Sequence, residues 1–572
     1  MLRYFLLLFV LAIYSPAFAQ EIIIGQEYPK SDFRPPLDLP PVISGSFGEL
    51  RAGHFHSGMD YKTNQREGYP VYAVADGYIS RLRVQGVGFG NAIYITHPNG
   101  FTTVYGHLQR FNDHIAQTIK NYQYRIESFE VDFPLIPIEI PVKKGEIIAW
   151  SGNSGSSGGP HLHFEIRDSQ TEETINPQLF GLTVPDRVKP IINGMYVYHL
   201  NGLPFSEKTP KQYFPVTGSA GVYKLNQSQV INLNGEVGFG IMTFDKNSAS
   251  ENPVGVYSIE LFIDGKSIYT SVWERFFFHH SRSINSHLDY PAYISSRVRI
   301  QKSFVEPGNF LTLYKDGLAS GLVNITDNLV HDVNYVVKDV AGNTSNLSFR
   351  IKGNSQAEIL PAKAPASMTT FFFDKENRFE TPEFKLLAPK GSFYSNLNFS
   401  YQISAKPPGA FSKMHHVHNR LIPVNDALTI WIRADSTLKP ELRDKAVLVN
   451  SRGGSPGGTY EDGFIKATTR DFGNYYVKTD TIPPRITPVN ITDGKILTGT
   501  SRISFKISDN LSGLGSYRAT IDGRWILMEY DAKRALLWHT FDENTTGGVH
   551  QLQLVISDMK SNISTFNARF IR

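Results

Sequence analysis

Five side chains in three short stretches have the types and spacing for hydrolytic chemistry at a metal: "HFHSGMDYKT" carries His56 and Asp60 in H-x-x-x-D spacing, "VYGHLQ" carries His107, and "HLHFEIRD" carries His161 and His163 two positions apart. Zinc takes neutral imidazole and carboxylate ligands at about 2.0–2.2 Å, and three protein ligands leave one tetrahedral position for water, the arrangement of a catalytic rather than a structural site. On a strand, residues i and i+2 share a face with Cα atoms roughly 6.5–7 Å apart. One of His161 and His163 can therefore ligate while the other leans over the open position and carries protons. Glu165 shares their face and reads equally as an orienting partner or as an ordinary strand-end carboxylate.

The chain has no cysteine, which excludes a thiolate metal site, a cysteine nucleophile, disulfide staples and a lipid-anchored cysteine. No H-E-x-x-H helix is present, so a histidine has to do the work of the glutamate base of that metalloprotease class. "GSSGG" at 155–159 satisfies G-x-S-x-G, but Pro160 leads into a strand where a nucleophile elbow needs a helix. The histidine-rich "FFFHHSRSINSH" (276–287) and "HHVH" (415–418) lack a nearby H-x-x-x-D and read as packing or surface residues.

The elements that position these residues are strands. From Gly45 to about Pro185, short apolar alternations are separated by "DG" and "NG" turns, the signature of hairpins. The exception is 110–125, where Phe111, Ile115, Ile119 and Tyr122 recur at helical spacing and predict one short helix. His114 falls in that helix and His54 lacks the spacing to Asp60, so both stay outside the metal set.

The stretches "HSGMD", "VYGHL" and "GNSGSSGGPHLHFEI", with "YPVYAVADGYIS" and "GFGNAIYITHPNG" between them, resemble the M23 family of zinc metallopeptidases, the lysostaphin-like or LytM-type peptidoglycan endopeptidases. The resemblance covers about residues 43–180. It implies one Zn²⁺ per chain held by His56, Asp60 and His163, with His107 and His161 as the pair that handles protons and steadies the transition state. It also implies a peptidoglycan peptide as substrate, cut by a zinc-activated water. Compact members cross the interval after "GHL" more directly, whereas this chain carries a longer insert at 109–142, expected to border the substrate groove. Degenerate members of the fold bind cell wall or activate a separate amidase, which is the alternative function.

The rest of the chain sets the context. Residues 1–19, "MLRYFLLLFVLAIYSPAFA", read as a secretory signal, and no later run reaches the ~18 apolar residues of a transmembrane helix. The protein is expected to be exported, periplasmic or extracellular. A net charge of +4 over 572 residues gives no footprint for nucleic acid. A proline-rich strap (20–44) should run extended along a surface and is placed to cover a groove. The peptidase domain is expected at 45–187, with an immunoglobulin-like sandwich at 188–352, a β-rich block of unassigned fold at 353–480 and a second sandwich at 481–572, so the fold class is mainly β. The two sandwiches rest on an internal repeat: "SIELFIDGK" (258–266) aligns with "SYRATIDGR" (516–524), and "VVKDVAGN" (336–343) with "VISDMKSN" (555–562). These carboxy-terminal domains are candidates to bind glycan or an envelope protein, to set reach, or to occlude the groove.

Overall fold

The computed structural model describes residues 22–227, 230–315, 320–354 and 369–572; the expected signal segment lies outside them. The protein is mainly β. Among the described residues no helix is long and apolar enough to cross a membrane.

The first unit is built on an antiparallel sheet whose central strands run in the order Ile43–Gly45, Met59–Lys62, His161–Asp168, Phe101–Leu108, Asn91–Thr96, Gly77–Val84 and Val131–Pro134. Period-two alternation explains the middle strand: Leu162, Phe164 and Ile166 are fully buried in the apolar core, so His161, His163, Glu165 and Arg167 share the opposite face. The helix forms at Asp113–Ile126, capped by the Asn112 side chain, which accepts from the Ile115 amide. Phe111 lies ahead of that cap on a short strand, because the Asn112 cap starts the helix at Asp113, two residues after the first apolar position. The described part of the strap buries Tyr28, Phe33 and Leu37 in the same core. Phe33 packs on Phe101 and Phe180, at the end of the sheet away from the histidines, whereas Ile43, at the end of the strap, pairs with the strand that carries Asp60.

A second unit is built from long strands including Ile191–His199, Gly235–Asn247, Ser258–Ile263, Val330–Lys338 and Thr344–Gly353, with two faces packed on a common core. It interlocks with the first. Its strand Arg275–Phe277 pairs with Glu173–Ile175 of the peptidase sheet, and its core takes in Phe47 and Phe55 from the loop before His56. Residues 369–480 and 485–571 each place paired sheets around their own cores. The repeat occupies equivalent places in the second and last units: both "DG" turns put Asp264 and Asp522 at positive φ, and each aspartate binds the Nδ1 of a histidine on the neighbouring strand, His331 or His550, at 2.7 Å.

Candidate metal centre

Strand register assembles the site. His163 stands directly across from Asp60 on one side and from Gly106 on the other, so three strands present one row, and His107 follows Gly106. His56 reaches the same point through a tight approach at Gly58, where a Cβ would lie 2.2 Å from the Phe164 carbonyl oxygen. No side chain fits there. His107 itself sits at φ +58°, a left-handed conformation sparsely used by residues other than glycine and concentrated at functional sites.

Three donor atoms converge. His56 Nε2 lies 3.0 Å from His163 Nδ1 and 3.0 Å from Asp60 Oδ1, and His163 Nδ1 lies 2.9 Å from that same oxygen. A tetrahedral zinc with bonds of about 2.0–2.1 Å spaces its donors about 3.3 Å apart, so a slight outward movement admits the ion. The outer partners fix which nitrogen of each histidine faces the centre. His56 Nδ1 meets the Ser46 carbonyl at 2.8 Å; a carbonyl only accepts, so Nδ1 carries the proton and Nε2 offers a lone pair. His163 turns Nε2 to Glu165 Oε1 at 2.9 Å, which directs Nδ1 to the centre. Arg51 pairs with the second oxygen of Asp60 and leaves the first to face the histidines.

The two remaining histidines are held alike. His107 Nδ1 donates to the Ser154 carbonyl at 2.9 Å and His161 Nδ1 to the Gly159 carbonyl at 2.8 Å. Each imidazole thereby keeps a bare Nε2. That of His161 is buried without a partner, 3.4 Å from Asp60 Oδ1, and the rings of His107 and His161 are 4.8 Å apart. Both supporting carbonyls belong to the glycine-rich loop 152–159. Gly155, at φ +66°, lets that loop approach Gly90, whose amide nitrogen would lie 2.3 Å from a Cβ at position 155.

The electrostatics follow from burial and partners. Burial pushes His56 down to about 4, and burial together with the charges of His163 and His161 pushes His107 down to about 3, so both are neutral near pH 7. Burial opposes ionisation of Asp60, but the surrounding imidazoles hold its carboxyl well below the usual range. Burial also opposes a charged His163, yet Asp60 and Glu165 outweigh it and raise it to about 9. A metal at Nδ1 must displace that proton, which makes metal uptake pH-dependent.

The structure thus brings together all five side chains singled out by spacing. His54 stays outside, bound to the Ala52 carbonyl at 3.1 Å, and among the described residues no metal-capable group includes a histidine of 276–287 or 415–418. Arg51, Ser46 and Ser57 have no signal in the sequence, being joined to the site only by folding. Glu165 had one, its i+2 relation to His163. The insert helix does not line the metal centre but docks on the last unit: Lys120 bridges to Asp542 and Glu543, and Tyr124 meets the Trp525 ring at 5.1 Å. From that unit Lys533 reaches the glycine-rich loop, with Nζ 2.6 Å from the Asn153 carbonyl and 2.9 Å from that of Ser157.

A sheet that offers a converging His–Asp–His set beside two histidines with bare Nε2 atoms has the makings of a metallohydrolase centre. Residues 54–124 match peptidase family M23, and the chain carries a domain of that family. Residues 368–480 match the Zu5-like domain, which supplies a class for the block of unassigned fold. The chain is 34% identical over 149 residues to the DD-carboxypeptidase/endopeptidase Mpg of Neisseria meningitidis serogroup B, covering 25% of this chain and 28% of that protein. It is 30% identical over 150 residues to the peptidoglycan DD-endopeptidase ShyC of Vibrio cholerae, again 25% and 28% of the two chains. The similarity therefore spans little more than a quarter of those relatives. Among solved structures, the catalytic domain of lysostaphin from Staphylococcus simulans is 26% identical, with 24% of this chain and 90% of that one covered at a TM-score of 0.18.

Proposed function

We propose that the chain is an exported, zinc-dependent endopeptidase that hydrolyses peptide bonds in the cross-links or stem peptides of peptidoglycan, with His56, Asp60 and His163 holding one zinc ion. The observation that carries this reading is the convergence of three donor atoms on one point, each held by an outer partner: the Ser46 carbonyl, Arg51 and Glu165. Zinc at that point supplies Lewis acidity, which acidifies a water and polarises a carbonyl. His161 Nε2, 3.4 Å from Asp60 Oδ1, and His107 Nε2, on a ring 5.8 Å from that of His163, accept a proton from the nucleophile and return one to the leaving amine. Their Nδ1 atoms, fixed on backbone carbonyls, hold each neutral ring in the tautomer whose Nε2 can take a proton. The relatives named as peptidoglycan and DD-endopeptidases support the substrate class.

Zinc content and muropeptide release from cross-linked peptidoglycan test the proposal on the mature protein. The expected result is about one zinc per chain with release of cross-link fragments, loss of both in His163→Ala, and a rate lowered about 10²–10⁴-fold with zinc retained in His107→Ala and His161→Ala. A protein that binds zinc and leaves peptidoglycan intact refutes the enzyme reading, and one without zinc refutes the metal assignment.

A further inference from the structure

The second and last units each contain a cluster of three carboxylates that the metallopeptidase site does not use: Asp186, Asp245 and Asp339 in one, Asp480, Asp509 and Asp558 in the other. In each cluster the ligand oxygens lie within 4.8 Å of one another. The two clusters are copies. Asp186 and Asp480 open the same run, "DRVKPII" and "DTIPPRI", which leads into each unit. Asp245 and Asp509 begin D-x-x-S, and the serine amide, Ser248 or Ser512, donates to the first aspartate at 3.2 or 2.8 Å. Asp339 and Asp558 begin D-x-x-x-N, and in both copies the asparagine donates its amide at 2.9 Å to one carboxylate oxygen and its side-chain nitrogen at 2.6 Å to the other.

Beyond the clustering, one oxygen is left over in each copy. Asp245 is 2% exposed, yet its Oδ1 is buried without a partner, and the equivalent Oδ1 of Asp509 is buried and unpartnered too. A carboxylate oxygen out of water without a donor is costly, and the same atom is orphaned twice. Among the described residues no lysine or arginine forms an ion pair with any of the six carboxylates. Lys560, in the turn of the second copy, bonds the Gly458 carbonyl at 2.8 Å and lends its charge to Asp558 and Asp480 from beyond ion-pair distance. A cavity of about 30 Å³ lies against Asp186, Asp245 and Asp339, room for one ion or water and little more.

We infer that each cluster binds one hard divalent cation of the calcium type, two per chain, at the segment that leads into its unit. The donor set is all oxygen, which suits Ca²⁺ with its 6–8 oxygen ligands and not the borderline-soft zinc of the histidine site. Because Asp186 and Asp480 come from the connecting segments while their partners come from the unit that follows, the ion fastens each connection to its β unit. The full chain is thereby stiffened where its units join.

Isothermal titration of the chelator-treated, zinc-reloaded full chain with Ca²⁺ tests this, with thermal melts beside it. The expected result is two Ca²⁺ per chain, with Kd near or below the ~10⁻⁴–10⁻³ M of extracellular modules, and a melting temperature raised by calcium. Asp245→Asn and Asp509→Asn each remove one equivalent, and the double variant loses both together with the thermal shift. Absence of calcium binding and of any thermal shift in the unmodified chain overturns the inference whether or not the variants fold. So does a double variant that still binds two ions. Zinc content and peptidase activity are scored separately, so failure here leaves the reading of the histidine site standing.

Discussion

Replacing Glu165 by glutamine keeps the shape of the side chain and removes its charge, which isolates the outer partner of His163. Glu165 accepts from three donors: the Ser57 hydroxyl and His163 Nε2 on one oxygen and Arg167 Nε on the other, the last two at 2.9 and 2.7 Å. An amide has one accepting oxygen, so at least one buried donor must face an NH₂ group, a cost of about 1–3 kcal/mol. The Arg167 guanidinium also loses its fully buried counter-charge, and breaking such a pair costs about 3–5 kcal/mol. Glu172, 3.2 Å from Arg167 but largely exposed, offsets only part of this. The expected loss of folding stability is therefore about 3 kcal/mol. His163 loses the acceptor that fixes its Nε2 proton, and outer partners of this kind are worth about 10- to 100-fold in metal affinity, or about 1.4–2.7 kcal/mol. Chelator competition measures the zinc affinity, and denaturant unfolding with and without zinc measures the stability. A Glu165→Gln protein with unchanged zinc affinity and an unchanged unfolding midpoint refutes the orienting role, whatever its peptidase rate.

Stability should also fall on mild acidification. Burial holds His287 neutral, with its pKa pushed down to about 4, against ~6.5 in the unfolded chain. The unfolded state therefore binds the proton first: the stabilisation is complete above pH 6.5 and is lost as pH falls towards 4, on the order of 3 kcal/mol for this residue. His415 and His418, also lowered to about 4 by burial, add in the same direction. Denaturant unfolding at several pH values, compared with His287→Asn, checks this, and an equal pH slope in both proteins contradicts it. Lys533→Ala should lower peptidase turnover several-fold without changing zinc content, because Lys533 braces the loop whose carbonyls hold His107 and His161. A variant more active than the unmodified protein would instead identify the last unit as a cover over the groove.

The chemistry was legible in the sequence because it rests on local spacing. H-x-x-x-D brackets a turn, H-x-H shares a strand face by the two-residue period, and the absence of cysteine confines the metal donors to His, Asp and Glu. The mainly β fold and the helix near 113 follow from the same periodicities and from the turn and cap residues between them. The repeat was legible from matched runs, although its orphaned carboxylate oxygens were not. Long-range register was beyond reach. Nothing near Arg51 in the chain says that it meets Asp60, and nothing near Phe55 says that its ring enters the core of the second unit beside Trp273 at 6.3 Å. Nothing near the insert helix in the chain says that Trp525 and Asp542 pack on it. Local spacing determines which side chains share a face, whereas the partner that completes each one, hundreds of residues away, is decided only when sheets pair and cores close.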